Sequence, residues 1–291
     1  MIITKIQGGL GNQMFQYAFG KTLALRNNTE LKLDTTLFKN YEFHSYSLNH
    51  LNVQESFATE EEIHSFEKYR ARKGKLGLIL NPFFADTTRY VDERAWTFIP
   101  EALELKDPCY INGYWQSEKY FLEIEAVIRK EFSLREPLDE YSHGIASKIN
   151  AAPESVMLHI RRGDFAYHPQ MKKLMGLCPP EYYDAAQAII RERVSNPHYF
   201  VFSDDIEWVK QHINTGFPTE FIGQGAEKNY QDLDLMRMCK HHILSNSTFG
   251  WWGAWLSDYS RTGITIAPTR WNNKNFDTKD LVPEYWIKLP Y

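Results

Sequence analysis

The order of apolar and polar residues at the start of the chain predicts a strand, a helix and a second strand. Residues 2 to 6 form a short, mostly apolar run, and a glycine-rich loop over 7 to 13 follows it. Residues 14 to 23 carry apolar side chains at helical spacing, and that pattern ends before Asn27. Residues 31 to 33 alternate as a strand does. This order of elements is typical of the beginning of a parallel α/β sheet.

The same kind of pattern returns in the second half of the chain, so we expect a second α/β unit there. The predicted elements are, in chain order, strand 156–160, helix 180–194, strand 198–202, helix 230–240, strand 243–244, a helix that ends at Trp255, and strand 263–267. Between the two halves, residues 110 to 116 indicate a strand that leads into a loop. Ser117 is placed to cap a helix that would run to about Phe132.

Two segments of the chain have a weaker pattern. Within residues 55 to 106, an acidic segment at 60 to 62 and a basic one at 70 to 75 favour a solvated helical surface over a binding site. Residues 135 to 153 mix proline, glycine and polar residues, which is typical of a linker. We therefore expect an N-terminal domain over 1–145 and a C-terminal domain over 146–291, with the last fifteen or so residues packing back on the first domain.

Composition and charge narrow the function classes. Hydrophobic residues make up 43% and charged residues 24% of the chain, so the protein is globular. A net charge of −4 without a long basic run disfavours a nucleic-acid partner. Three scattered cysteines suggest a reducing compartment and no zinc site. No apolar run reaches the roughly 18 residues of a membrane span and no signal peptide is visible, so we expect a cytoplasmic protein, or one peripheral at the inner face of the membrane.

The segment from His159 to Asp164 joins a buried strand to two adjacent arginines. Arginines are costly near a core unless an anion meets them. Strand ends in open α/β sheets are ligand sites, and a guanidinium binds phosphate through a bidentate fork. If the strand geometry continues, His159 and Arg161 share one face. Arg161 would then point at an anionic ligand while Arg162 braces the turn; the structural alternative is a surface ion pair with Asp164.

The glycine loop after the first strand has two interpretations. Gly9 and Gly11 fit the first two glycines of the dinucleotide fingerprint, but Met14 takes the place of the third. The loop is therefore either a plain tight turn or a place where the backbone approaches phosphate or sugar closely. The polar pair Asn12 and Gln13 at the start of the helix favours a ligand-facing loop.

Small hydrogen-bonding residues fill positions 245 to 248, between a predicted strand and a predicted helix. One of them is enough to cap the helix. Four in succession also offer side-chain donors and free backbone N–H groups to an anion. The tryptophans that follow, at 251, 252 and 255, have helical spacing and are expected in the core.

Two acidic pairs are candidate metal ligands with simpler alternatives. Asp232 and Asp234 resemble the carboxylate pair of metal-dependent sugar transferases, but they lie at the start of a predicted helix, where acids favour the positive end of the dipole. Asp204 and Asp205 follow a strand, and we favour an N-cap for the helix that begins near Ile206. We therefore expect no bound metal.

Taken together, these segments resemble the bacterial α-1,2-fucosyltransferases of glycosyltransferase family 11. The matching segments are GGLGNQMFQYA (8–18), GYWQSE (113–118), HIRRGD (159–164), SDD (203–205) and SNSTFGWW (245–252). They span nearly the whole chain in the order of the family. The first and third segments are specific, whereas SDD alone is weak.

The resemblance implies an α/β fold of the GT-B type, with two Rossmann-like domains that face each other across a cleft. The first would bind the acceptor and the second the donor, GDP-β-L-fucose. Transfer would go to the 2-hydroxyl of a galactose in an oligosaccharide or a lipid-linked glycan, with inversion and without a metal ion or other cofactor. Acceptor choice would lie around residues 40 to 120.

The resemblance also assigns residues. Arg161 would bind the donor pyrophosphate, Asp234 would recognise guanine, and Ser247 and Thr248 would contact phosphate. The candidate donor-binding residues are Gly9, Gly11, Arg161, Asp234, Asn246, Ser247, Thr248 and Phe249. The candidate catalytic residues are Arg161, Asp164, His159 and Asn12.

The proton acceptor for the attacking hydroxyl stays open. Some relatives carry a glutamate near the position of Asn12, but an asparagine is not a base. That leaves Asp164, His159 or the departing phosphate, of which we favour Asp164; Asn12 would orient the acceptor or the fucose. Two alternatives to the function remain: a fucosyltransferase of another linkage, and a non-catalytic glycan- or nucleotide-binding protein of the same fold.

Overall fold

The computed structural model describes residues 1–40, 44–71, 86–274 and 276–291. They form two compact units. Unit 1 comprises Met1–Ser133 and Lys279–Leu281, and unit 2 comprises Leu134–Thr278 and Val282–Tyr291. The boundary expected at 145/146 falls inside a helix, whereas the chain passes from one unit to the other between Ser133 and Leu134. Over the described ranges, every helix is too short or too polar to cross a bilayer.

Unit 1 contains a four-stranded parallel sheet with the strand order β2-β1-β4-β3. The strands are β1 (Ile2–Lys5), β2 (Leu31–Asp34), β3 (Tyr90–Asp92) and β4 (Cys109–Asn112). Within the described residues of unit 1, the α-helices are α1 (Leu10–Arg26), α2 (Glu60–Glu67) and α3 (Glu125–Glu131). Short 3-10 turns occur at Thr36–Asn40, Leu48–His50, Pro100–Glu104, Glu118–Tyr120 and Leu122–Ile124.

The strand–helix–strand beginning predicted from the sequence is confirmed. Helix α1 is buried over most of its length, and Phe15 and Phe19 are completely buried. A Cβ on Gly20 would lie 2.8 Å from Leu31 Cδ1 and 3.2 Å from Thr4 Cβ, so glycine lets α1 pack closely on β1 and β2. The packing thereby fixes the loop between β1 and α1 at the carboxyl edge of the sheet.

Unit 2 contains a six-stranded parallel sheet with the strand order β10-β9-β8-β5-β6-β7. The strands are β5 (Ser155–Ile160), β6 (His198–Ser203), β7 (Thr219–Ile222), β8 (His241–Ile243), β9 (Thr265–Pro268) and β10 (Ile287–Leu289). The α-helices are α4 (Glu140–Ala151), α5 (Gly163–Tyr167), α6 (Pro169–Met175), α7 (Pro180–Arg193), α8 (Ile206–His212), α9 (Asn229–Met238) and α10 (Thr248–Trp255). A 3-10 turn at Ala226–Lys228 precedes α9.

The order of the unit 2 sheet is that of a doubly wound dinucleotide-binding fold. The chain builds outward from β5 to β7 on one side and then restarts at β8 on the other. The strand order therefore reverses between β5 and β8, and ligands bind in the crevice outside the carboxyl ends at such a point. The arginine turn follows β5 and the Ser-Asn-Ser-Thr turn follows β8.

In the part of the chain that the structure describes, the strands that the sequence did not predict are all at sheet edges. β3, β7 and β10 each pair on one side only, and most of their residues are half-buried or exposed. Strands of this kind are short and do not have the apolar run of a central strand, so their signal in the sequence is weak.

The helix predicted from Ser117 to about Phe132 is wrong in its first half. Ser117 caps a 3-10 turn through the N–H of Lys119, and a second 3-10 turn precedes α3. Tyr120 and Phe121 are successive and both fully buried, and the backbone leaves helical geometry at Phe121 (φ −142°, ψ 7°) to bury both rings.

The acidic segment at 60 to 62 does begin a mostly exposed helix, α2, whose capping box joins Thr59 and Glu62. Of the predicted basic surface at 70 to 75, residues 72–75 lie outside the described residues. The same is true of residues 41–43 and 72–85 in the segment expected to choose the acceptor.

Candidate functional site

The sheet of unit 2 brings the arginine turn and the Ser-Asn-Ser-Thr turn together. β5 and β8 are hydrogen-bonded neighbours, so both turns leave the carboxyl edge of the sheet side by side. Ser245 Oγ lies 3.0 Å from His159 Nδ1, and the ring of Phe249 lies 5.9 Å from the ring of His159. Two segments far apart in the sequence thus form one site at the switch point of the fold.

His159 is a buried, neutral member of this site. Its side chain is 4% exposed. Burial, and secondarily the charge of Arg161, lower the pKa of the imidazole to about 3. A histidine with that pKa is a weak base at neutral pH. Its contacts with Ser245 and Phe249 connect the end of β5 to the turn before α10 and to the first turn of that helix.

Arg161 carries the accessible positive charge of the site. Its Nη2 lies 2.6 Å from Asp164 Oδ1, and its Nη1 lies 2.9 Å from Asp204 Oδ2. Its side chain is 27% exposed and packs on the ring of Phe165. Two carboxylates therefore hold the guanidinium from two sides, and its five N–H donors exceed what these two contacts use.

Arg162 takes the structural place that alternation along the strand predicts for it. Its Nε donates to Asp205 Oδ2 at 2.9 Å, and its guanidinium lies 3.7 Å from the centre of the Trp208 ring. Asp205 caps α8 through the N–H of Trp208, which confirms the N-cap predicted there. Burial raises the pKa of Asp205, but hydrogen bonds from Tyr167 and Arg162 outweigh this effect. The pKa of Asp205 is therefore lowered overall.

Asp204, for which the sequence suggested a metal ligand or an N-cap, lies instead beside the two arginines. Its Oδ1 accepts the backbone N–H of Arg162 at 2.8 Å, while its Oδ2 faces Arg161. A Cβ on Gly163 would lie 2.4 Å from that Oδ2, so glycine is required for this approach. The signals in the sequence are the position of Asp204 at the end of a strand and the weak SDD match at 203–205.

The side chains at the Ser-Asn-Ser-Thr turn differ in exposure: residues 245 to 247 are buried, whereas Thr248 and the following Phe249 are half-buried. Asn246 is 1% exposed, and its Nδ2 donates to the carbonyls of Met175, Gly176 and Trp271. The side-chain amide of Asn246 is therefore used by contacts within the protein, so only its main chain could contact a sugar-nucleotide donor. Ser247 is the N-cap of α10, and Thr248 and Phe249 are half-buried at the helix start.

The two acids at the start of α9 differ in their surroundings. Asp234 is ion-paired with Arg237 at 2.7 Å, and burial raises its pKa against that charge. Asp232 is 7% exposed and accepts the side-chain amide of Gln224 at 3.0 Å. Burial raises the pKa of Asp232 to about 6. Throughout the described ranges, His, Cys, Asp and Glu nowhere form a group of three or more that could hold a metal ion.

In unit 1, the two polar residues that follow the glycine loop at the start of α1 differ in burial. Gln13 is completely buried; its Nε2 donates to the carbonyls of Gly8 and Ser45. Asn12 is half-buried and accepts a hydrogen bond from Gln116 Nε2 at 2.9 Å. Asn12 therefore faces outward at the carboxyl edge, whereas Gln13 fixes the loop from inside.

The glycines of this loop differ in their backbone geometry and packing. Gly8 has φ +76°, and a Cβ there would lie 2.8 Å from Asn12 Nδ2, so glycine is required at this position. Gly9 has an ordinary φ of −74° as the N-cap of α1, with the ring of His44 against it. Gly11 is buried in the first turn of α1. Gly8 and Gln116 lie in segments that match the family, but the sequence assigned neither a role of its own. It gave no signal for Glu93, which follows β3.

Comparison with known families identifies the chain as a glycosyltransferase. A family model described as "Glycosyl transferase family 11" matches residues 1–289. The chain belongs to glycosyltransferase family 11. The predicted family is thereby confirmed.

Two relatives of this family 11 protein align over nearly its whole length, and a third aligns over about half of it. It is 36% identical over 299 residues to an alpha-1,2-colitosyltransferase of Escherichia coli, with 99% of each protein covered. It is 28% identical over 311 residues to the O-antigen biosynthesis glycosyltransferase WbnK of Escherichia coli, covering 98% of this chain and 99% of that protein. Human galactoside alpha-(1,2)-fucosyltransferase 1 is 31% identical over 168 residues, which is 54% of this chain and 46% of the human protein.

A solved structure shares the fold of the family 11 chain. A mutant of Arabidopsis thaliana FUT1 in complex with GDP covers 97% of this chain and 74% of its own, with a TM-score of 0.53 and 12% identity. The predicted fold class is confirmed: an α/β protein of the GT-B type whose two units each contain a parallel sheet.

Gly250→Ala is expected to destabilise unit 2 of this family 11 protein. A Cβ on Gly250 would lie 2.5 Å from His159 Nδ1 and 3.2 Å from its Cβ. Since His159 is buried and held by Ser245, overpacking should lower the free energy of unfolding by about 1–3 kcal/mol. Thermal unfolding of the purified variant measures the effect.

Gly144→Ala is the matched control for this substitution. Gly144 lies in α4 of the same unit, and a Cβ there would meet nothing within 4 Å. Alanine should therefore stabilise the helix by about 0.5–1 kcal/mol. Equal Tm values for Gly250→Ala and wild type would contradict the tight contact at His159.

Proposed function

We propose that the protein transfers L-fucose from GDP-β-L-fucose to the 2-hydroxyl of a terminal galactose, with inversion and without a metal ion. The observation that carries this proposal is Arg161, a cation held at the switch point of unit 2 beside the turn at 245–248. Relatives named for α-1,2 transfer, including a human fucosyltransferase, support the linkage.

Arg161 would stabilise the leaving group. GDP departs as its pyrophosphate gains negative charge, and the transition state is oxocarbenium-like, as in other glycosyl transfers. A preoriented guanidinium at the oxygen where charge develops takes the part that a divalent ion takes in other transferases. Asp164 and Asp204 keep Arg161 in one orientation before the donor arrives.

The turn before α10 would bind phosphate through its main chain and hydroxyls. Ser247 and Thr248 stand at the start of a helix, where hydroxyl and N–H donors favour an anion. Asn246 supports them through its buried amide, and Phe249 lies against His159. Thr248 is half-buried whereas Ser247 is 8% exposed, so Thr248 offers the more accessible of the two hydroxyls.

Guanine recognition requires a carboxylate that can accept from N1–H and the exocyclic amine. The family resemblance points to Asp234, whose carboxylate pairs with Arg237. Asp232 is a second candidate, because its partner Gln224 is neutral and follows β7 at the carboxyl edge. We assign the base contact to this pair of acids.

Asp164 would accept the proton of the attacking hydroxyl. The low pKa of His159 makes it a poor base, and Asn12 does not accept a proton. Asp164 is partly exposed beside the guanidinium that binds the leaving group, so it lies next to the reacting centre. The departing phosphate is the alternative acceptor.

A second donor has a specific observation in its favour. The relative that is 36% identical over 99% of both chains is named an alpha-1,2-colitosyltransferase. Colitose is L-fucose without its 3-hydroxyl group, so one pocket could accept either sugar. Transfer of colitose from GDP-colitose is therefore the second candidate function.

A donor comparison in the presence of EDTA tests the proposal. Purified protein is incubated with GDP-fucose or GDP-colitose and a panel of galactosides, and GDP release and product linkage are measured. We expect an α-1,2-fucosylated galactoside and undiminished activity in EDTA, because Arg161 replaces the metal. A higher kcat/KM for GDP-colitose selects the second candidate.

Other outcomes of this experiment contradict the proposal. Another product linkage indicates a fucosyltransferase of different regiochemistry. Binding of GDP without product from either donor indicates a non-catalytic protein. A strict requirement for Mn²⁺ makes Asp232 and Asp234 candidate metal ligands again.

A further inference from the structure

Glu93 lies beside the end of β4, on the carboxyl edge of the unit 1 sheet. It follows β3 directly, and its backbone N–H donates to the carbonyl of Asn112 at 2.8 Å. β3 and β4 pair in parallel up to Asp92 and Asn112, so both chains leave the sheet together. Glu93 is therefore positioned to act on the turn that follows β4.

The carboxylate of Glu93 holds this turn with both of its oxygens. Oε2 accepts the backbone N–H of Tyr114 at 2.7 Å, and Oε1 accepts that of Trp115 at 3.0 Å. A Cβ on Gly113 would lie only 2.4 Å from Glu93 Cβ, so glycine permits the close approach. One side chain thus replaces two main-chain hydrogen-bond partners.

The turn has an uncommon backbone conformation that needs such support. Trp115 has φ +55°, which is rare for a residue other than glycine. Its indole is 1% exposed and packs on the rings of Phe19 and Tyr120, at 4.6 Å and 5.6 Å between centroids. The packing of its indole therefore holds the side chain of Trp115, and the hydrogen bond to Glu93 holds its backbone.

The turn delivers Gln116 to Asn12. Gln116 Nε2 donates to Asn12 Oδ1 at 2.9 Å, and both side chains are half-buried. β1 and β4 are adjacent parallel strands, so Asn12 and Gln116 both lie at the carboxyl edge of the unit 1 sheet. Ligands of open α/β sheets bind outside the carboxyl ends of the strands, so the amide pair is on the edge where a ligand is expected.

The chemistry of the pair fits a neutral sugar. Amides offer both donors and acceptors, which matches vicinal hydroxyls, since each hydroxyl also does both. The rings of Trp96 and Tyr114 lie 6.3 Å apart and are half-buried, so they add apolar surface for the C–H face of a pyranose. The amides and rings of this set are uncharged, in contrast to the Arg161 site of unit 2.

We propose that Glu93 is a positioning residue of an acceptor-sugar subsite formed by Asn12, Gln116 and the Trp96–Tyr114 ring pair. It acts by holding the turn at 113–116, so that Gln116 and Asn12 meet a galactose in a fixed geometry. The proposal rests on the proposed function, because it names the place where the galactose acceptor binds.

The titration of Glu93 links its hold on the turn to pH, so acceptor KM should depend on its protonation. Burial raises its pKa from 4.5 to about 7, against the two N–H groups, which lower it. The titratable group facing it is Tyr120, whose own pKa is raised by burial and then by Glu93. Protonation turns one oxygen into a donor, so one N–H of the turn loses its acceptor below about pH 7.

Stability and acceptor binding should therefore change in opposite directions with pH. The unfolded chain ionises Glu93 near 4.5 and the folded chain near 7, so its contribution to stability is present below 4.5 and lost as pH rises through 7. Over the same pH range, from 4.5 to 7, the ionised carboxylate becomes able to accept both N–H groups of the turn. In wild type, Tm and acceptor KM should both fall from pH 5.5 to 8.

The test compares Glu93→Gln, Gln116→Ala and wild type. In Glu93→Gln the amide nitrogen faces an N–H donor, so acceptor KM should rise roughly tenfold, as for loss of one buried hydrogen bond. The KM for the donor and the slow hydrolysis of donor without acceptor should stay within twofold. Gln116→Ala leaves the turn intact and should also raise acceptor KM. Glu93→Gln should abolish the pH dependence of acceptor KM and reduce that of Tm, since Asp232, whose pKa is also raised by burial, still titrates.

Glu62→Gln is the matched control. Glu62 also accepts a backbone N–H in unit 1, that of Thr59 at 2.8 Å, but it caps α2 and is not part of the subsite. Acceptor KM and its pH dependence should equal those of wild type. Wild-type acceptor KM in both Glu93→Gln and Gln116→Ala, or equal rises in donor and acceptor KM, overturns the Glu93 proposal alone. Absence of transfer by wild type to any galactoside overturns the proposed function.

Discussion

Arg161→Ala is expected to lower kcat for transfer by roughly a thousandfold. The substitution removes the cation that meets the developing charge on the pyrophosphate. It also leaves Asp164 and Asp204, which contact Arg161 at 2.6 Å and 2.9 Å, facing the anion without compensation. GDP affinity should therefore fall as well.

Steady-state kinetics and calorimetric titration with GDP measure these two losses, and Arg162→Ala is the matched control. Arg162 pairs with Asp205 and stacks on Trp208, so its removal should lower stability by about 2 kcal/mol and change GDP affinity little. Wild-type turnover and GDP affinity in Arg161→Ala, with Tm unchanged, would contradict the assignment of the donor site.

Asp164→Asn is expected to lower kcat by about a hundredfold or more, the usual contribution of a general base. The asparagine keeps the shape of the side chain but does not accept the proton of the attacking hydroxyl. It also removes a negative charge next to Arg161, so GDP affinity should stay equal or improve. The two effects have opposite signs, which separates a base from a residue that only holds Arg161.

The measurement is kcat at saturating donor and acceptor together with the Kd for GDP. Asp204→Asn is the comparison, because Asp204 also contacts Arg161 but is proposed only to orient it. If Asp164→Asn turns over normally, the departing phosphate becomes the proton acceptor. If GDP affinity falls in parallel with kcat, Asp164 acts through Arg161.

The central elements could be predicted because their signals are local. β5 and β6 are continuous apolar runs that are buried on both faces. Helix α7 begins at Pro180, as a proline in the first turn predicts, and runs to Arg193. The edge strands β3, β7 and β10 escaped prediction because each has only three or four residues, most of them half-buried or exposed, so no apolar run marks them.

Site residues were predictable to the extent that their motif is specific. Arg161 and the turn at 245–248 are recognisable from the sequence alone. An arginine next to a buried strand is costly without an anion, and four small polar residues are more than one helix cap needs. Asp204 and Glu93 are ordinary acids after ordinary strands. Their roles depend on which backbone N–H groups and cations the fold brings to them.

The sequence by itself determined the family, the α/β class and the residues able to carry a charge or a phosphate contact, because apolar periodicity and rare polar motifs are readable along one segment. Only the tertiary structure decided which of these residues share a site and which are structural. Ser245 meets His159, and Gln116 meets Asn12, across 86 and 104 positions of the chain. Gln13 and Asn246 match the motifs as well as their neighbours do, yet packing buries their side chains. Burial and partnership are properties of the folded chain, since they depend on contacts that no local pattern encodes.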